Sequence, residues 1–372
     1  MARVVRLAVQ SFRNLADGEI ALPEHGLVLV GPNGHGKTSF LEALLYLEVF
    51  RSFRGARERD LTRFGADGFR VEAEVEGGRT DAPSHRRTGG ARDGRRTVTA
   101  GFDARTRTKR VSVDGLVAGK LAEAIGYVRG VVLSPFDAEL VAGAPRARRR
   151  YLDVLLALTA PGYVEALAHF ARALRQRSRA RAADLPVWEA LMARAGSQVA
   201  AARRAWVEAW AERYRDRCAA MGERSAPRLA YAAGGPESAE ELEAALRLGR
   251  DRDFATGRTA VGPHRDDLRL TLDGRDLRVY GSAGQQRTAA IALRLVEAAA
   301  LAEARGEAAA VCLDDAFAEL DADRSARLGA MVSDLLHEGS QVFATVPRDG
   351  EMPEAVRALP KWTIADGVMG PA

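Results

Sequence analysis

The chain has 372 residues, 47% of them apolar, with a mean hydropathy of −0.19, a formal net charge of +5 and a pI near 9.4. That is enough chain for two domains around a large core, while no apolar run approaches the roughly 18 residues of a membrane helix, and the basic excess points only modestly to a polyanionic partner. Two cysteines, Cys218 and Cys312, exclude a disulfide framework, and six scattered histidines offer no metal-ligand spacing.

The opening Met1-Ala-Arg-Val-Val-Arg-Leu7 lacks the apolar region of a secretory signal and reads as an amphipathic strand, so a cytoplasmic protein with no membrane partner is expected. Leu27-Val-Leu-Val30 is a short apolar strand bounded by glycines. It runs into Gly31, Pro32, Asn33, Gly34, His35, Gly36, Lys37 and Thr38, a complete G-x-x-x-x-G-K-[ST] phosphate loop. Phosphate needs backbone N–H donors closer than side chains normally allow, which is why glycines stand where the chain wraps the anion. Lys37 reaches the β- and γ-phosphates in such a loop, and the Thr38 hydroxyl ligates Mg²⁺. Only four of the 55 basic residues are lysines, so a chance lysine at this position is rare. Ser39 and the apolar run after it open a helix whose positive end faces the phosphates. ATP and Mg²⁺ are the expected ligands.

Phe69, Val71, Ala73 and Val75 alternate as in a strand, and residues 77–96 read as a polar, glycine-rich mobile loop. Two more strands follow near Val98–Phe102 and Arg110–Val113, with Asp114-Gly115 as a turn. From about Asp137 to Leu248 the pattern is almost wholly helical. Pro186–Met221 reads as one helix of about 36 residues, on the order of 54 Å at 1.5 Å per residue. Its stripe of Trp188, Leu191, Val199, Trp206 and Trp210 is expected to pack on neighbouring helices rather than stack on bases. Glu237–Glu241 has capping-box form ahead of a helix over Ala239–Leu248, and Asp267–Leu272 returns to strand.

Basic residues cluster twice. Arg146, Arg148, Arg149 and Arg150 precede Tyr151, and Arg172, Arg175 and Arg179 share one helix face at i, i+3, i+7, with Arg177 and Arg181 beside them. Few acids lie between Leu167 and Ala183. A grip on DNA phosphates by Arg148, Arg149, Arg172, Arg175 and Arg179 is weighed against an ordinary solvated face.

Gly281-Ser282-Ala-Gly284-Gln285-Gln-Arg287 opens a strong helix over Thr288–Ala304, and its amides form a second anion site with no phosphate loop nearby in sequence. Val311-Cys-Leu-Asp314-Asp315 is a buried parallel strand that delivers two carboxylates at its C-terminal end, where α/β sheets bind ligands. Asp314 is placed to hold Mg²⁺, directly or through water, and Asp315 to polarise an attacking water. In the order phosphate loop, serine loop, acidic strand, the chain resembles ABC-type ATPases. There the serine loop caps the γ-phosphate held by a partner subunit, and Glu319-Leu-Asp321 matches the segment that crosses the dimer interface. The fold expected is α/β, an ABC-type P-loop ATPase domain with an antiparallel β flank and an inserted all-helical arm. Its segments are 1–136 and 251–372 for the ATPase halves and 137–250 for the arm.

A narrower likeness is carried by Ser11-Phe-Arg-Asn-Leu15, the phosphate loop, Ser52-Phe-Arg54, Leu133-Ser-Pro-Phe-Asp-Ala-Glu-Leu140, Arg148–Asp153, Gln176-Arg177, Gly262-Pro-His-Arg-Asp-Asp267, Gly281–Thr288 and Leu313–Asp321. These resemble the RecF family over essentially the whole length. Gly262–Asp267 is the most diagnostic, since general ABC ATPases lack it. The resemblance implies a recombination mediator that forms an ATP-dependent homodimer on double-stranded DNA and single/double-strand junctions. It also implies action with RecR and RecO to load RecA, and slow, DNA-stimulated hydrolysis. By position, Lys37 and Thr38 bind phosphate and Mg²⁺, Asp314 binds the metal, Asp315 activates water, and Ser282, with Gly284 and Gln285, meets the partner's nucleotide. Thr345 stands where many ABC ATPases place histidine, Phe136 stands where the family commonly has glutamate, and His264 and Asp266 have no derived role. About 240 residues between phosphate loop and serine loop disfavour a transporter subunit. Too few heptads are present for an SMC-type tether, and a small-molecule kinase leaves the serine loop unexplained.

Overall fold

The computed structural model describes residues 3–77, 94–318 and 320–372; Glu319 and nearly all of the expected 77–96 loop lie outside the described residues. Two compact units emerge, Met1–Asp137 with Glu297–Ala372, and Ala138–Val296. The second unit thus runs past the expected arm boundary at residue 250, for reasons its hydrogen bonds supply.

In the first unit an antiparallel sheet orders β2 (Gly18–Ala21), β1 (Arg3–Gln10), β4 (Gly68–Glu76), β5 (Arg95–Asp103), β6 (Thr108–Val113) and β7 (Leu116–Val117). Asp114 and Gly115, both at positive φ, make the β6–β7 turn. A second sheet orders β15 (Val368–Pro371), β14 (Lys361–Ala365), β3 (Gly26–Val30), β13 (Val342–Val346), β12 (Ala310–Asp314) and β8 (Gly130–Leu133). Every pairing in it is parallel except β14–β15. β8, β12 and β13 are buried at every residue, as near-continuous apolar runs in a parallel sheet must be.

Helix α1 (Lys37–Val49) touches strands of both sheets and is buried on all sides. Phe40 meets Phe343 edge-on at 5.9 Å, and Tyr46 meets Phe69 at 5.4 Å. An all-round apolar helix has no polar face to reveal it. The one charge deep in its middle, Glu42, is fully buried. It accepts two hydrogen bonds from the Arg13 guanidinium at 2.8 and 3.1 Å and one from the Ser52 hydroxyl. The short α2 (Glu58–Leu61) follows, and Asp321 caps α11 (Ala322–His337) by accepting from the Arg324 amide at 2.8 Å.

The second unit contains α3 (Ala138–Ala142), α4 (Pro145–Thr159), α5 (Tyr163–Arg177), α6 (Leu185–Ala220), α7 (Ala239–Leu248), α8 (Arg250–Thr256) and α9 (Leu277–Tyr280). A three-stranded sheet orders β11 (Arg275–Asp276), β10 (Asp267–Leu272) and β9 (Pro227–Ala232). α10 (Ala283–Arg305) begins in this unit and runs across the boundary at Val296. β9 corrects the reading of 137–248 as almost wholly helical, because Pro227, Leu229 and their neighbours alternate buried and exposed with a strand's period of two. α6 has the 36 residues expected, with Val199, Trp206 and Trp210 buried, but Leu191 is 49% exposed. Met192 and Ala195 take its place against Phe170, Leu242 and Leu246, since the steps 188, 192, 195, 199 follow the helical stripe and 191 leaves it.

The Gly262–Asp267 segment, for which the residues alone suggested no role, is where this unit is tied together. Asp266, 2% exposed, accepts from Arg203 at 2.7 Å, from the Tyr231 hydroxyl at 2.5 Å and from the Gly234 amide at 2.8 Å. Arg203, equally buried, also donates to Asp153 and to the Pro263 carbonyl, each at 2.7 Å. These bonds, with the β9–β10 pairing, join α4, α6, β9 and β10, which is why residues beyond 250 belong here. Removing one partner of a buried ion pair strands the other, so Asp266→Ala should cost about 3–5 kcal/mol. A urea midpoint unchanged from the parent would refute this role.

Candidate phosphate-binding site

The phosphate loop lies between β3 and α1. Gly34 and Gly36 adopt φ of +85° and +110°, where a side chain is strained, and a Cβ on Gly31 would overlap the Ile364 carbonyl. α1 begins at Lys37, so its first amides, unsatisfied within the helix, open onto the loop. The Lys37 ammonium donates to the Gly31 carbonyl at 2.6 Å, the Pro32 carbonyl at 3.1 Å and Asn33 Oδ1 at 3.2 Å. Ser39 donates to Asn14 Oδ1 at 2.8 Å, and Asn14 Nδ2 donates to the Gly34 carbonyl at 2.7 Å.

Parallel register brings the acidic strand here from 276 residues away. Thr345 pairs with both Leu29 and Asp314, so the carboxyl ends of β3, β13 and β12 meet. Thr38 Oγ1 donates to the two Asp314 oxygens at 2.8 and 3.0 Å, and Thr345 Oγ1 donates to Oδ1 at 3.0 Å. The Asp315 amide donates to Thr345 Oγ1 at 3.1 Å. Asp315 itself sits at φ +47°, and its Oδ1 is buried without a hydrogen-bond partner among the described residues. A strained, unsatisfied carboxylate beside a phosphate loop is the kind of residue a structure keeps for chemistry.

Thr38 and Asp314 offer hard oxygen donors of the sort Mg²⁺ prefers. Among the described residues no group of three or more His, Cys, Asp or Glu side chains could hold an ion unaided. The pair therefore fits Mg²⁺, which Thr38 and Asp314 would hold on one side while other oxygen donors completed its shell.

Ser282, Gly284 and Gln285 stand in the second unit. Ser282 is exposed; its Oγ accepts from the Gln285 amide at 3.2 Å while Gln285 Oε1 accepts from the Ser282 amide at 3.0 Å, a reciprocal cap at the head of α10. Just before it Val279 and Tyr280 are 61% and 70% exposed.

The two arginine clusters fare differently. Arg148 is 4% exposed, bonded to Asp267 at 2.7 and 3.1 Å and to the Gly143 carbonyl at 2.9 Å. Arg149 donates to the Asp266 carbonyl at 2.7 Å. Arg148 is therefore structural, its charge spent inside the unit, which corrects its placement on a DNA-facing surface; Arg149 is only partly buried and bonds a neutral carbonyl. Arg172, Arg175 and Arg179 lie on and just beyond α5, with no ion pair among the described residues. Arg177 is buried against Glu189 and Asp253. Phe136 is half exposed beneath the Arg54 guanidinium at 5.3 Å.

Sequence reasoning passed over Asn14 as a brace of the loop and Glu351, in the turn after β13, whose charge is felt by both Lys37 and Asp315. Neither lies in a motif with a spacing rule of its own.

The RecF/RecN/SMC N-terminal domain family matches residues 3–367. The DNA replication and repair protein RecF of Anaeromyxobacter dehalogenans (strain 2CP-C) is 38% identical over 86% of each chain, and that of Chloroflexus aurantiacus is 35% identical over 98% of each. The structure is similar to that of the recombination mediator protein RecF-ATP in the RecFOR pathway, with a TM-score of 0.85 at 25% identity over 100% of this chain and 98% of that one. A Pyrococcus furiosus Smc head domain with an extended coiled coil, bound to the C-terminal domain of ScpA, matches with a TM-score of 0.56 at 16% identity over 100% and 96%, a likeness of fold alone.

Burial pushes the Asp314 and Asp315 carboxyls above the usual carboxylate range; Lys37 opposes the shift at Asp315, and Glu351 adds to it. Burial likewise lowers the Lys37 ammonium. A raised carboxyl means that the folded protein binds more protons than the unfolded chain in the window between their pKa values, so stability falls as pH rises through it. Asp315→Asn removes that charge and tolerates positive φ better. It should raise the thermal midpoint of the nucleotide-free protein at pH 7, with the gain shrinking as pH falls towards the ordinary carboxylate range. A midpoint lowered at pH 7, or a gain indifferent to pH, would contradict this electrostatic picture.

Proposed function

We propose, from the premise that this chain belongs to the RecF family, that it is an ATP-gated DNA clamp acting in DNA replication and repair. The observation that carries the reading is the Thr38–Asp314–Thr345 contact, which joins phosphate loop and acidic strand where a nucleotide's terminal phosphates would lie. Its solved relative with ATP supports the same choice of nucleotide.

The residues divide the work. Lys37, now satisfied by loop carbonyls, turns its charge to the β- and γ-phosphates. Thr38 and Asp314 hold Mg²⁺, which when bound neutralises charge on the phosphate oxygens. Asp315, with an unpartnered carboxylate oxygen, orients and deprotonates the attacking water. Ser282 and the head of α10, with Gly284 and Gln285, form a lid for the triphosphate of a second copy, and the exposed Val279 and Tyr280 beside it suit a surface that closes on another protein. The product is an ATP-dependent homodimer with slow, DNA-stimulated turnover, working in the cytoplasm. It would sit on double-stranded DNA and single/double-strand junctions and act with RecR and RecO in loading RecA. Arg172, Arg175 and Arg179 supply a phosphate grip without sequence readout. Among the described residues no helix is long and apolar enough to cross a membrane.

Light scattering with ATP and Mg²⁺ tests the gate. The parent should dimerise, Lys37→Met should neither bind nor dimerise, and Asp315→Asn should accumulate as a dimer that does not turn over. Ser282→Arg should bind nucleotide yet stay monomeric. An Asp315→Asn protein that remains monomeric at saturating ATP would overturn the reading.

Anisotropy of labelled duplex across a salt series tests the grip. Replacing Arg172, Arg175 and Arg179 with alanine should flatten the slope of log K against log salt by about 0.9 for each DNA phosphate that is no longer neutralised. An unaltered slope would remove α5 from the DNA-binding surface.

A further inference from the structure

The mixed sheet does more than carry β3. The turn between β14 and β15, Asp366-Gly367, reaches the phosphate loop from outside. The Gly367 amide donates to the His35 carbonyl at 3.0 Å, and the Asp366 amide donates to His35 Nδ1 at 3.0 Å. The turn is itself anchored, since the Ala16 amide donates to the Gly367 carbonyl at 2.9 Å. Gly367 has φ +80°, and a Cβ there would collide with the Asn14 carbonyl. From the other flank, Asn14 holds the Gly34 carbonyl.

A trans peptide points its N–H opposite to its C=O. Drawing the His35 carbonyl outward to Gly367 therefore aims the Gly36 amide into the loop, where an anion would meet it. Nothing inside the loop does this: Lys37 draws on Gly31, Pro32 and Asn33, on the opposite limb. We infer that the β14–β15 turn is a positioning element for nucleotide binding, holding His35 at both its carbonyl and its Nδ1 to aim the loop's amides, with Nδ1, which also lies 3.3 Å from the Asp366 carboxylate, accepting from the Asp366 amide. This inference rests on the nucleotide reading above and adds to it a part of the chain that no phosphate-loop motif contains.

The test uses the full-length protein and a fluorescent ATP analogue with Mg²⁺, alongside thermal midpoints. His35→Ala removes the acceptor while leaving the backbone bond from Gly367. It should weaken nucleotide binding about five- to tenfold, as removing one net hydrogen bond would, with the midpoint little changed. His35→Asn, whose Oδ1 can occupy the Nδ1 position, should recover most of the affinity. Gly367→Val should weaken binding more. Equal affinity in the parent and His35→Ala, or no difference between Ala and Asn at that position, would overturn the inference; both His35 variants keep the test independent of whether Gly367→Val folds. A parent protein that binds no nucleotide at all would instead overturn the function proposed above, so the two failures are distinguishable.

Discussion

One carboxylate holds the site in register. Asp314 receives hydrogen bonds from Thr38, at the first turn of α1, and from Thr345, at the end of β13. These donors lie far apart in the chain and meet only because β3, β13 and β12 are parallel neighbours with their carboxyl ends level. A slip of one residue in either pairing would turn Asp314 or Thr345 to the opposite face of the sheet. The apolar packing of the three strands against α1 thus sets the geometry of the polar contact, and the chemistry inherits its placement from the core.

The second unit solves a different problem. It has little sheet, and its helices are joined by buried charge, with Arg203 and Asp266 at the centre and Arg177, Glu189 and Asp253 forming a second cluster. Desolvating such groups costs much of what their attraction returns, so their contribution lies as much in selecting one arrangement of helices as in net stability. The Asp266 carbonyl also accepts from Arg149, which ties the last turn of the segment to α4.

Much of this was legible in the residues. The phosphate loop, the acidic strand, the 36-residue helix and the Ala239–Leu248 helix follow from rules of local spacing, and the structure has each element where those rules place it. What escaped was set mostly by contacts distant in sequence, and in one case by helical phase. Leu191 belongs to an apolar stripe by composition and leaves it by a single residue of helical phase. β9 is six residues long and begins with proline, so its period-two signal is brief, and its partner β10 begins only at Asp267, well beyond its end at Ala232. Arg148 looks like its neighbours in a basic run, and only the position of Asp267 decides that it faces inward. Charge alone does not say which way an arginine points. Nor could spacing announce that Asn14 and the Asp366-Gly367 turn brace the phosphate loop, since each contributes through a backbone or amide group of a kind found all along the chain.

The strand order also bears on how the protein is made. β3 lies between β13 and β14, whose residues 342–346 and 361–365 leave the ribosome long after it. At about 5–20 residues per second, roughly 15–60 s separate the synthesis of α1 from that of β13. Throughout that interval one of the most apolar segments in the chain lacks the β12 and β13 strands that it later packs against. Chaperone demand during translation should therefore fall on residues 26–49, and the nascent chain is most exposed to aggregation at the very segment that later holds the phosphates.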